Sequence, residues 1–136
     1  VYTYNDIINI LAPHTSNILV DKILYFEHGK YIYVLKNVSI SDMSFLKKDT
    51  KLYSSNLFLV IESLYQSTML FCDLSGLSKE ITNIQLGSVE TTIQPGDTLC
   101  IEVKVIEKSN HLMRLEGRVM KEGQIIFNPK IAIKVN

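Results

Sequence analysis

Apolar residues recur along this chain in two rhythms. Over Tyr4–Leu11 (YNDIINIL), Ile7, Ile10 and Leu11 fall on one helical stripe, with Asn5 or Asp6 as the expected cap. Pro13 should end that helix, because the residue before a proline is driven out of helical dihedrals. Ile18–Phe26 and Lys30–Ile40 are rich in β-branched and aromatic residues, and Glu27-His28-Gly29 joins them, which predicts a hairpin. Ser41–Lys51 is polar and reads as a loop. The longest apolar run, Leu57–Leu74, predicts a helix about 27 Å long, with Ser55 or Asn56 to cap it and Gly76 to stop it. Four strands are expected after it: Ile84–Ile93, Thr98–Glu107, His111–Met120 and Gln124–Val135. Pro95-Gly96-Asp97, Ser109-Asn110 and Glu122-Gly123 supply their turns. In Thr98–Glu107, Leu99, Ile101, Val103 and Val105 alternate with Cys100, Glu102 and Lys104, so one face should be buried.

A helix apolar on most sides needs a wrapper. The expected fold is therefore α+β, an antiparallel sheet curled around one long central helix, as a single domain over residues 1–136. Such a sheet leaves a strand edge unpaired, which predicts edge-to-edge dimerisation. Glu62, Ser63, Gln66, Ser67, Thr68 and Asp73 interrupt the apolar run, so it is expected to be a core helix and not a membrane span.

Composition narrows the function classes. Fourteen Lys and Arg balance fourteen Asp and Glu, which argues against a general nucleic-acid binder. Two cysteines, Cys72 and Cys100, and three scattered histidines are a poor supply for a zinc site, so no metal is expected. Val1–Asp6 shows no basic and apolar leader pattern, and a reducing, cytoplasmic setting is expected.

Four blocks carry a family resemblance. Residues 13–22 (PHTSNILVDK) resemble the "LPHRYPFLLVDRV" opening of the 3-hydroxyacyl-(acyl carrier protein) dehydratases of FabZ type. Lys36-Asn37-Val38-Ser39-Ile40 is similar to their "KNVTIN". Residues 59–66 (LVIESLYQ) are similar to "LILEALAQ", and Gln94-Pro95-Gly96-Asp97-Thr98-Leu99 to "VPGDQL". The order and spacing agree from about residue 5 to 135. The resemblance implies the hot-dog fold and removal of water from a β-hydroxyacyl thioester. It implies a site in which a loop histidine works with a helix carboxylate from the other subunit, while a backbone N–H at the helix start polarises the thioester carbonyl.

Carried over by position, the helix carboxylate is Glu62, and Gln66 one turn later would orient it. The family's loop reads "GHFPGRPVMPG". Here Lys48 stands where the histidine is expected, Asn56 where the carbonyl-facing glycine is expected, and Thr15 where an arginine follows Pro-His. Lys48, Ser55 and Asn56 are the expected substrate-binding residues. Lysine titrates near pH 10 and makes a poor base without strong desolvation. The chain is thus expected to be incomplete alone and to pair with a histidine-bearing paralogue, although a homodimer remains open. The other reading is a hot-dog thioesterase in which Glu62 activates water. Lys47, Lys48 and Lys51 form a basic cluster suited to an acidic carrier. The partner is an acyl carrier protein or coenzyme A thioester, and proton transfer needs no cofactor. His14, in the Pro-His pair, is expected to pack the opening helix against the sheet.

Overall fold

The computed structural model describes residues 2–42, 55–77, 80–85, 89 and 92–135, without the side chains of Ser55 and Asn56. Helix α1 (Tyr4–Leu11) is followed by strands β1 (Lys22–Glu27) and β2 (Tyr31–Asn37). Helix α2 (Ser55–Leu74) comes next. Strands β3 (Ile81–Ile84), β4 (Thr98–Lys108), β5 (Leu112–Lys121), β6 (Gln124–Phe127) and β7 (Lys130–Lys134) complete the order. All the strands pair antiparallel in one sheet, in the order β1-β2-β4-β5-β7-β3, with β6 also on β5.

The alternation along β2 and β4 turns Ile32, Val34, Leu99, Ile101 and Val103 inward, all without solvent exposure. They close over Leu59, Val60, Leu64, Leu70 and Phe71 of α2, which are equally buried. Each such side chain contributes about 1.5–3 kcal/mol relative to exposure. Leu57–Leu74 is long and apolar enough to cross a membrane, yet 61% of it is buried inside the protein. It is a core helix jacketed by the sheet.

Gly76 ends α2 with φ +68°. Leu77 N donates to Cys72 O (2.8 Å) and Gly76 N to Asp73 O (3.1 Å), the paired bonds of a left-handed helix stop. Glu122 and Gly123 both have positive φ, 52° and 77°, which gives the tight β5–β6 hairpin the twist its strands need.

Several local expectations change. Thr3 caps α1, not Asn5 or Asp6: Asp6 N donates to Thr3 Oγ1 and Thr3 N donates to Asp6 Oδ2. Ser55 and Asn56 lie inside α2 and are not its cap. β1 starts at Lys22, not Ile18, because Leu19 N bonds a side chain of α2 in place of a neighbouring strand. β2 stops at Asn37 and residues 40–42 are helical, since Ser39 and Asp42 cap each other's backbone N–H. β3 covers Ile81–Ile84 and meets the expected strand Ile84–Ile93 only at its start; Gln85 N still donates to Lys130 O (2.9 Å), and residues 86–88 and 90–91 lie outside the described residues. The last expected strand is split at Asn128-Pro129. Proline has no N–H for a ladder, and Asn128 Nδ2 donates to Gly117 O instead (2.6 Å).

A Cβ at Gly117 would lie 2.9 Å from Leu64 Cδ1 and 3.2 Å from Ile131 Cδ1. The sheet approaches the helix here as closely as a missing side chain permits. Gly117→Ala should cost about 1–2 kcal/mol through displaced core side chains. Urea unfolding reads this directly, and an unchanged midpoint would show that Leu64 swings aside freely.

Candidate active site

Glu62 and Gln66 are one turn apart on α2 and share a face. Gln66 is only 1% exposed, so its amide must find partners inside the protein. Its Nε2 donates to Glu62 Oε1 (3.2 Å) and to Asn17 O (2.9 Å), and its Oε1 accepts from Leu19 N (2.8 Å). One oxygen of the half-buried Glu62 carboxylate is thereby held, and the direction of the second follows from it. Such a group can bind a hydroxyl, carry a proton or orient a water.

Residues 17–21 form an irregular strap across this point. Gln66 fastens one end. At the other end Asp21 N donates to Leu35 O (2.9 Å), and Asp21 Oδ2 accepts from Asn37 N (2.6 Å). Thr15 Oγ1 accepts from Asn17 N (3.2 Å), which turns the chain into the strap.

No protein-family model matches the chain. Among curated proteins, the 3-hydroxyacyl-(acyl-carrier-protein) dehydratase FabZ of Vibrio cholerae is 26% identical over 131 residues, covering 91% of this chain and 86% of that enzyme. A hypothetical thioesterase from Streptococcus pneumoniae, solved with coenzyme A, superimposes with a TM-score of 0.70 at 14% identity. It covers 97% of this chain and 95% of its own. The dehydratase heterocomplex ApeI:P from Xenorhabdus doucetiae does so with 0.64 at 12% identity, over 95% and 91%. The chain has the hot-dog fold and is similar in sequence to the FabZ dehydratases.

In this FabZ-like chain a second polar centre lies beside the strap. Lys36 occupies a core-facing position of β2, in step with Ile32 and Val34, and is 3% exposed. Its Nζ lies 2.7 Å from Asp42 Oδ2, itself buried, and 3.9 Å from Asp21 Oδ2. A buried ammonium needs such anions. The sequence reading missed this cluster. Its signal is a cation at an inward register, followed by Ser39 and Asp42 at capping spacing.

The structure brings Glu62 and Gln66 together. Ser55 and Asn56 are in the first turn of α2, and Lys48 lies outside the described residues, as do Lys47 and Lys51. His14 is exposed and does not pack α1 on the sheet; α1 lies against α2, and its buried side chains are Ile7 and Leu11. His28 and His111 are exposed too.

Two surface pockets of the hot-dog sheet lie elsewhere. One of about 600 Å³ is bordered by Ile106, Leu112, Arg114 and Lys130, and one of about 400 Å³ by Gly96, Cys100 and Lys121. Neither includes Glu62 or Gln66. The outer face carries fixed polar pairs. Burial and the Glu102 carboxylate push Tyr31 up to about 12, and a hydrogen bond with Cys100 does the same for Tyr33. The Gln94 N–H and the Lys121 ammonium hold the Asp97 carboxyl below its ordinary value, and so fasten the Pro95-Gly96 turn.

Proposed function

We propose that this chain acts on 3-hydroxyacyl thioesters as the carboxylate-bearing half of a FabZ-type dehydratase, with a histidine-bearing paralogue as the other half. The observation that carries this reading is the Glu62 carboxylate fixed by Gln66 at 3.2 Å on the central helix. The matching loop position holds Lys48 in place of histidine. FabZ similarity over nine tenths of the chain supports the substrate class. A dehydratase heterocomplex on the same fold supports the mixed pair.

In the composite site the partner's histidine takes the α-proton, and the electron pair of that C–H bond forms the double bond. The β C–O bond breaks, and the hydroxyl held by Glu62 leaves as water with the proton the histidine delivers. The thioester travels on an acyl carrier protein or coenzyme A, in the cytoplasm.

The thioesterase reading keeps a place because Glu62 and Gln66 need no loop residue to aim a water at a thioester carbonyl. A thioesterase solved with coenzyme A shares the fold.

The test is reconstitution. The chain alone should produce no enoyl thioester from a 3-hydroxyacyl thioester. Mixed with its host's histidine-bearing dehydratase, it should co-elute as a dimer that does. Dehydration by the chain alone overturns the half-site reading. Thiol release from a saturated acyl thioester by the chain alone replaces it with the thioesterase.

A further inference from the structure

The jacket around α2 has one opening. Leu59, Val60, Ser63, Leu64 and every residue from Gln66 to Cys72 are buried. Phe58, Ile61, Glu62 and Tyr65 keep contact with solvent, and they follow one another at the i, i+3, i+4 and i+7 spacing of a single helix face. The Glu62 carboxylate sits inside this stripe, with Phe58 and Ile61 towards one end and Tyr65 at the other. An apolar opening around one polar group has the make-up of a small-molecule site.

Tyr65 is the odd member. At 36% it is the one exposed side chain of Leu57–Leu74. It follows Glu62 by three residues, which puts the two Cβ atoms about 5–6 Å apart on the helix surface. Beyond it the helix is closed as far as Cys72, so the open stripe ends at this ring. The similar FabZ block LILEALAQ has alanine at the matching position, and the bulk belongs to this chain in particular.

We propose that Tyr65 is a specificity-determining residue that ends the acyl slot and restricts this chain to short 3-hydroxyacyl thioesters. This rests on the acyl-thioester reading above and adds chain length to it. With the 3-carbon held at Glu62, the two ends of the substrate leave in opposite directions. The pantetheine arm carries polar amides and is tied to its carrier, so it has to leave by the end of the stripe that stays open. The alkyl tail needs only apolar cover and takes the end that closes. There it meets the Tyr65 ring after about 5–6 Å, room for only a few methylenes. Tyrosine is a large and rigid stop with only two side-chain torsions. A longer tail has to push the ring aside or lie in water, and gains nothing from its extra carbons.

The experiment is calorimetry on the chain in the dimer it forms, with two hydrolysis-resistant pantetheine amides, 3-hydroxyhexanoyl and 3-hydroxydecanoyl. Each buried methylene tightens binding about fourfold. The wild type should nevertheless bind the decanoyl amide no more tightly than the hexanoyl one. Tyr65→Ala should prefer the decanoyl amide by about tenfold or more and hold the hexanoyl amide within a few-fold of wild type. Tyr65→Phe keeps the ring and should keep the wild-type order. A wild-type preference for the decanoyl amide overturns the stop, spares the acyl-thioester reading and needs no variant. A wild-type order that survives in Tyr65→Ala overturns it too. Loss of the dimer in Tyr65→Ala makes the ring a subunit contact and overturns it as well. Binding of neither amide sinks the acyl-thioester reading and the stop together.

Discussion

Glu62→Gln is expected to slow water loss from a 3-hydroxyacyl thioester by about 10²–10³-fold in the reconstituted pair, the usual cost of removing one preorganised polar group from the reacting centre. The replacement conserves shape. The oxygen that accepts from Gln66 Nε2 at 3.2 Å is retained, so the helix, the strap and the dimer should be undisturbed. What disappears is the charge that grips a leaving hydroxyl. Single-turnover measurement of enoyl absorbance isolates the chemical step, and the thermal midpoint should match the wild type. A rate within a few-fold of wild type would remove Glu62 from the mechanism. Should the wild-type chain hydrolyse a saturated thioester and the variant fail to, the same carboxylate would be serving a thioesterase.

Lys36→Ala should have the largest effect on stability, about 3–5 kcal/mol, the range for removing one partner of a buried ion pair. Most of this comes from Asp42, which is buried with the ammonium and 2.7 Å from it. Asp21 is 3.9 Å away with a side chain 36% exposed, and water compensates it well. The cost is the Asp42 carboxylate left in the core without its cation. Lys36→Met combined with Asp42→Leu should recover much of the loss, because apolar replacements remove both charges together. Urea midpoints of the single and double variants test this. A single variant as stable as wild type would mean that Asp42 reaches water when the lysine is gone.

The jacket and its helix were legible in the sequence because long apolar repeats are a direct record of burial. Leu99, Ile101 and Val103 alternate, and Leu57–Leu74 is apolar on most sides. The hairpin turns were legible at Gly29 and at Glu122-Gly123, where positive φ demands particular residues. Leu19 and Val20 misled because they are as buried as any strand residue, yet their backbone serves the strap. Hydropathy reports where a side chain ends up and is silent about which partner the N–H finds. The same blindness hid Lys36, whose inward register is visible but whose anions come from residues 21 and 42.

At the candidate site, Glu62 and Gln66 could be paired from their spacing alone. The role of Asn17 could not, because it depends on a contact across forty-nine positions of chain between Gln66 and the strap.

Gln66 serves two masters. Its amide aims the carboxylate and also staples helix to strap through Asn17 and Leu19. Evolutionary drift at this position therefore meets a double constraint, since a change that retunes reactivity also unfastens the architecture. New specificities in descendants of this protein should arise around that glutamine and leave the glutamine itself in place.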